Sequence, residues 1–86
     1  MNAEFHRRFI NQYWKLSVNQ RKKCDARLLF FERNPYDPLL NNHPLKGKYK
    51  GYRSINITGD LRAIYCILDN ETAYFIFIDT HSNLYA

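Results

Sequence analysis

Eighty-six residues, 45% of them hydrophobic and 16% aromatic, make one domain spanning residues 1–86 and leave no room for a second core, since a chain this short buries only roughly 60–65% of its unfolded surface. The composition excludes a disordered chain. The net charge of +5 is unevenly spread, with twelve Lys/Arg against four Asp/Glu in residues 1–53 and one against four in residues 54–86, so the first two-thirds carry a field that attracts RNA, DNA or an acidic protein.

From Glu4 to Leu16, Phe5, Phe9, Tyr13 and Leu16 recur at spacings of four, four and three, which predicts a first helix with one apolar face. The stretch Ser17-Val18-Asn19-Gln20 fits a capping box, and Cys24, Leu28 and Phe31 continue one face of a second helix to about Arg33. The two helices form an antiparallel hairpin with Arg21, Lys22, Lys23 and Arg27 outside. The prolines at 35, 38 and 44 mark a loop. Beyond it, strands are expected near 48–57, 61–68 and 72–78, joined by Thr58-Gly59-Asp60 and Asp69-Asn70. The fold class is therefore α+β, a helical hairpin on a small antiparallel sheet.

Side-chain sorting selects the register, because a slip of one residue exchanges the two faces of a strand. A three-residue loop at 58–60 sets Ile57 opposite Leu61, Ile55 opposite Ala63, Asn56 opposite Arg62 and Ser54 opposite Ile64. Carried through a turn at 69–70, one face gathers Ile55, Ile57, Leu61, Ala63, Tyr65, Ile67, Tyr74, Ile76 and Ile78 under the helices. The other mixes Tyr52, Ser54, Asn56 and Arg62 with Ile64, Cys66, Phe75 and Phe77, too polar for a core and too apolar for plain solvent. It is expected to bind something. The same pairing sets Asp60 opposite Asp79 and brings His81 within a residue or two of Asp60.

Lys46, Lys48 and Lys50 alternate, with Tyr49 and Tyr52 among them, so in an extended segment the lysines would share a face suited to a single-stranded backbone with stackable bases. No metal-ligand spacing, phosphate loop or serine-nucleophile motif occurs, and no metal site is expected. Cys24 and Cys66 lie in apolar-periodic segments and read as buried thiols in a reducing compartment. MNAEFHRRF has no apolar signal stretch, and the run from Ala73 to Ile78 is too short for a bilayer, so a cytoplasmic protein without a membrane partner is expected.

The order of two helices, then HPLKGKYKGYRSINITGDLRAIY, then IDTHSNLY resembles the RelE/ParE superfamily of type II toxin–antitoxin toxins, closest to its YafQ-like branch, over nearly the whole chain. The resemblance implies a small α+β endoribonuclease that enters the ribosomal A site and cuts translated mRNA, with neither metal nor other cofactor. Its partners would be rRNA, mRNA and a separate acidic antitoxin chain in a hetero-oligomeric complex. The branch's catalytic positions fall on His43, Asp60, His81 and Tyr85, and Arg62 matches the arginine that steadies the phosphate in RelE. Asn56 stands where YafQ-like toxins carry another histidine. The family's N-terminal strand is expected to be nearly absent.

The implied reaction is attack of an RNA 2′-hydroxyl on its own phosphate, which needs a base, cations for the crowded phosphorane and an acid for the leaving 5′-oxygen. An ordinary imidazole, with a pKa of about 6.5, holds both protonation states near neutrality. His81 is assigned as acid, Asp60 or His43 as base, Arg62 and Arg53 as phosphate clamps and Tyr85 as positioner or stacking ring. Lys46, Lys48, Lys50, Arg53 and Asn56 are the RNA-binding candidates, and Arg21, Lys22 and Lys23 add to the basic surface. The alternatives are a ParE-like DNA gyrase poison, which needs no such constellation, and a degenerate homologue that only binds an antitoxin.

Overall fold

A computed structural model describes residues 1–85. Its elements are β1 (Asn2–Phe5), α1 (Arg7–Lys15), α2 (Val18–Arg33), β2 (His43–Pro44), β3 (Arg53–Asn56), β4 (Leu61–Asp69), β5 (Thr72–Thr80) and a terminal turn of helix, α3 (His81–Leu84). The helical hairpin forms as expected. Ser17 caps α2 through the reciprocal pair Gln20 N–H to Ser17 Oγ, 3.1 Å, and Ser17 N–H to Gln20 Oε1, 2.9 Å. Those two bonds satisfy backbone donors that a helix start otherwise leaves open.

The sheet has five strands in the order β1-β5-β4-β3-β2. β1 runs parallel to β5, with Ala3 beside Ala73 and Phe5 beside Phe75, so the sheet is mixed and the expected loss of the N-terminal strand is corrected. Phe5 belongs to both periodicities: it starts the four-residue series of the first helix, but it also alternates with Glu4 and Ala3 as a strand residue. The strand prevails because Phe5 and Ala3 pack against the core while Asn2 and Glu4 stay exposed. α1 then starts three residues later than expected, with the His6 side chain accepting the Arg8 N–H at 2.9 Å.

The β3–β4 hairpin has the anticipated register, Ile55 opposite Ala63 and Asn56 opposite Arg62. Thr58 Oγ1 secures its tip by accepting the Leu61 N–H at 3.0 Å. Two expectations fail beyond it. Asp69 pairs with Thr72, so the turn is Asn70-Glu71, one residue later than Asp69-Asn70, and Leu68 is a bulge on β4. Tyr65 pairs with Phe75 while Ile64 pairs with Phe77, which leaves Ile76 as an extra, unpaired residue on β5. This second bulge turns Ala73 and Phe75 toward the helices in place of Tyr74 and Ile76, returns Ile78 to them, and sends Phe77 to the open face.

Phe75 is fully buried, with its ring centroid 5.0 Å from Tyr65, 5.1 Å from Phe31 and 5.8 Å from both Phe5 and Phe9. One side chain thus ties β1, β4 and both helices to β5. Cys24 is buried beside it in the helical layer, and burial pushes its thiol up to about 12. Between β1 and the hairpin, Phe9, Ile10, Tyr13, Trp14, Leu28 and Leu29 line an apolar groove of about 440 Å³ in which Trp14 is 66% exposed. No helix among the described residues is long and apolar enough to cross a membrane.

The bulge makes a measurable difference between neighbours. Phe75→Ala should destabilise the protein by about 3–5 kcal/mol in denaturant titrations, and Ile76→Ala, on the unpaired residue, by no more than about half of that. The opposite order would restore the uninterrupted alternation of β5.

Candidate active site on the open face of the sheet

Three-residue hairpin geometry and the length of β5 bring the end of the chain back to the β3–β4 tip. Leu61 pairs with Thr80, and the His81 N–H donates to the Asp60 carbonyl at 2.9 Å. The expected convergence of Asp60 and His81 is present, and tighter by two positions on β5, because the Ile76 bulge and the later turn shift the register. A short helical turn begins there. Thr80 Oγ1 accepts the Asn83 N–H at 3.2 Å, and Asp79 Oδ1 accepts from the Thr80 N–H at 2.8 Å and from Asn83 Nδ2 at 2.9 Å. Asp79 is thereby occupied as a brace for the turn.

That turn delivers Tyr85. Its N–H donates to the His81 carbonyl at 3.1 Å, and its ring lies 4.7 Å from the His81 ring and 5.7 Å from Tyr49. The turn is pinned by buried Leu84, which packs with Ile64 and Leu45, and by the Tyr49 hydroxyl, which donates to the Leu84 carbonyl at 3.1 Å. Part of the mixed face is therefore covered by the chain's own C-terminal turn and by residues 45–52. Burial first and then Tyr49 push the Tyr85 phenol above its ordinary value, while Arg62 pulls it down. A raised phenol keeps its proton near neutrality, so Tyr85 can donate a hydrogen bond but makes a poor base.

Arg62 crosses the sheet in one row with Asn56 and Asp79. Its Nη1 donates to the Thr58 carbonyl at 2.9 Å and to the Leu61 carbonyl at 3.3 Å, which holds the guanidinium at the tip beside Asp60. The Asn56 Oδ1 is buried in the same row without a hydrogen-bond partner. Asp60 and His81 are exposed. His81, Asp60, Arg62 and Tyr85 thus share one end of the sheet, with the His81 ring against Tyr85, the Arg62 cation near enough to act on the Tyr85 phenol, and Asp60 joined to His81 through the backbone.

The other candidates are spread more widely. His43, on β2, pairs with Ser54, two strands over and one row along from Arg62, on the order of 12 Å between backbones. Its Nδ1 lies 2.7 Å from the Asn41 carbonyl; a carbonyl only accepts, so Nδ1 carries a proton and Nε2 is the ring nitrogen left to face a substrate. Arg53 lies on the opposite face. It donates from Nε to Asn42 Oδ1 at 2.8 Å and covers the Tyr36 ring at 5.4 Å, while Asn42 Nδ2 donates to the Tyr65 hydroxyl at 2.7 Å. That makes Arg53 a brace for the loop between helices and sheet, away from Arg62.

The three lysines do not line an extended strand, because residues 47–49 form a single 3-10 turn that starts at Gly47, φ +65°, and is followed by Gly51 at φ +94°. Both are left-handed conformations that glycine tolerates at little cost. Lys48 alone is placed by a contact, its Nζ 5.2 Å from the Tyr49 ring centroid and so at the edge of the Tyr85 cluster. Arg21 folds onto its own hairpin, Nη1 donating to the Leu16 carbonyl at 2.6 Å, whereas Lys22 and Lys23 are exposed. Among the described residues, no group of three His, Cys, Asp or Glu could hold a metal ion.

Two residues of the open face carry no functional signal in the sequence. Phe77 is expected there without a role, and Arg8, whose guanidinium carbon lies 5.2 Å from the Phe77 ring centroid, reads only as helix surface. Nothing in local periodicity signals that contact, because it depends on β1 leading α1 to the edge beside β5.

The arrangement makes the Arg62 effect on Tyr85 testable. Removing the cation in Arg62→Gln should raise the Tyr85 pKa further, since the phenolate loses its nearest positive charge, and a pH titration followed by NMR at the Tyr85 ring reads the shift. An unchanged titration would mean the two side chains do not interact.

No family model matches the chain, and no curated protein does. Among solved structures, a YoeB/ParE toxin from Agrobacterium tumefaciens is 22% identical with a TM-score of 0.76, over 94% of this chain and 99% of that one. YafQ from E. coli strain BL21(DE3) is 23% identical, with a TM-score of 0.68 over 99% and 98% of the two chains. A chain of the E. coli DinJ-YafQ toxin-antitoxin complex is 24% identical, with a TM-score of 0.66 over 99% and 97%. Over almost its entire length, then, this chain has the fold of a YoeB/ParE toxin and of YafQ.

Proposed function

We propose that the protein is the toxin of a type II toxin–antitoxin pair and acts as a ribosome-dependent mRNA endoribonuclease. The observation that carries the reading is the convergence of His81, Asp60, Arg62 and Tyr85, four residues that reach one end of the open face from β4, the β3–β4 tip and the terminal turn. A gyrase poison that works by binding alone has no need of that set.

In the proposed reaction the 2′-hydroxyl of a bound nucleotide attacks the adjacent phosphorus, its proton goes to the base, and the P–O5′ bond breaks as the acid protonates the leaving oxygen. The products are a 2′,3′-cyclic phosphate and a 5′-hydroxyl. His81 is the acid, and Arg62 stabilises the phosphorane charge. Asp60 is the base closer to His81, and His43, acting through Nε2, is the alternative for a substrate that spans the face. Tyr85 stacks on or hydrogen-bonds the substrate. The chemistry needs no metal or other cofactor. Lys46, Lys48, Lys50, Lys22 and Lys23, all exposed, are assigned to contacts with rRNA and mRNA phosphates.

Asn56 gives the site one fewer titratable group than the family pattern, so orientation must come from elsewhere, and good positioning supplies roughly 7–11 kcal/mol of a barrier. The ribosome is the proposed source of that positioning. The partner chain is an acidic antitoxin, complementary to the +5 charge. The exposed apolar groove beside Trp14 also supports a protein partner, since contiguous apolar patches mark interaction surfaces. The proposed compartment is the cytoplasm.

The deciding experiment is single-turnover cleavage of ribosome-bound mRNA across pH. His81→Gln should leave the melting temperature and ribosome association unchanged, slow cleavage by roughly 10²–10⁴-fold, and abolish the fall in rate that loss of the acid's proton causes at higher pH. Near-normal cleavage by a well-folded His81→Gln protein sinks the assignment.

A further inference from the structure

The proposed chemistry leaves one charged cleft unused. His6, Arg7, Arg8, Asn11, Gln12 and Lys15 line a polar cleft of about 380 Å³ along α1, and no acidic residue lies between His6 and Lys15. Arg7, Asn11 and Lys15 succeed one another at four-residue spacing, with Arg8 and Gln12 in the adjoining row, so the stripe runs roughly 12 Å along the helix. A helix face that is merely solvated usually mixes charges of both signs. This one carries cations and amides only.

Arg8 joins the cleft to the open face. Its guanidinium carbon is 5.2 Å from the Phe77 ring centroid, Phe77 is 5.6 Å from Tyr49, Tyr49 is 5.7 Å from Tyr85, and Tyr85 is 4.7 Å from His81. A continuous run of rings therefore links the candidate active site to a basic cleft, with Lys48 beside Tyr49 on the way. Stacking rings for bases beside cations for phosphates is the arrangement that holds a single-stranded nucleic acid.

We propose that single-stranded RNA extending from the active site passes over Phe77 and is held by its backbone in the α1 cleft. Arg7, Arg8 and Lys15 pair with phosphates, and Asn11 and Gln12 hydrogen-bond phosphate or ribose oxygens. The inference rests on the reading of the open face as an RNA site, and it adds a consequence that reading lacks: affinity depends on RNA length. An RNA that covers only the rings gains nothing from α1, and a longer one does.

The test uses His81→Gln protein, so that the probe stays intact, with fluorescent oligouridylates of about four and about twelve nucleotides, lengths that span common single-strand site sizes. Binding is followed by anisotropy as salt is varied. Adding Arg7→Gln and Lys15→Gln, both at exposed positions, should weaken the longer probe about tenfold and flatten its salt dependence by roughly 0.7 for each phosphate left without a cation, with the shorter probe and the melting temperature unchanged. An unchanged salt slope on the longer probe, or equal weakening of both probes, overturns the proposal. Cleavage assays on the His81 protein separate the two ideas: length-dependent binding without mRNA cleavage keeps the track and removes the nuclease, and cleavage without length dependence does the reverse.

Discussion

One unpaired residue, Ile76, decides which way both ends of β5 face. Without it, a strand with strict alternation would present Phe75 and Phe77 on the same side, and one of the two clusters of the molecule would lose its central ring. With it, Phe75 enters the main core among Phe5, Phe9, Phe31 and Tyr65, while Phe77 turns to the open face among Tyr49, Tyr52 and Arg8. A bulge leaves one residue out of the ladder and adds local twist. Here the burial of Phe75 against four other rings offsets that cost, since a large aromatic side chain is among the strongest contributors to a small core.

The open face inherits its geometry from the same shift. Placing Thr80 opposite Leu61 brings His81 onto the Asp60 carbonyl, and from there a single turn of helix, braced by Asp79 and Thr80 and pinned by Leu84, carries Tyr85 over His81. Residues that would be flexible at a chain end are held because Leu84 has its own small core with Leu45 and Ile64. The charges are arranged differently. Arg62 is secured by backbone carbonyls at the tip, and the lysines of residues 46–50 stand in solvent, so the site combines one positioned cation with a diffuse basic rim.

Legibility in the sequence follows how local the determining interaction is. The β3–β4 register is readable because apolar sorting and a three-residue tip act within a dozen residues. The capping box at Ser17 is readable for the same reason. The bulge is not: Tyr74, Phe75, Ile76 and Phe77 are all large and apolar, so alternation carries no polarity contrast there, and only the ring packing across three other elements selects Phe75. Phe5 fits a helix and a strand equally in isolation, and the free edge of β5 decides for the strand. Lys46, Lys48 and Lys50 alternate in sequence, but Gly47 and Gly51 adopt left-handed backbone that breaks the extended path. Arg53 looks equivalent to Arg62 by charge, yet strand parity puts them on opposite faces, with Arg53 committed to Asn42 and Tyr36.

A fold shared with toxins does not assign chemistry, because one scaffold can host unrelated activities and the site alone argues function. The account stands on the claim that the four residues at the β3–β4 tip cut mRNA while it is being translated. The most direct measurement is to induce the chain without a partner protein in cells and map new 5′ ends across the transcriptome. The account predicts ends carrying 5′-hydroxyls, confined to translated regions and spaced in phase with codons. Growth arrest with no new mRNA ends, or ends scattered equally over untranslated RNA, would contradict it.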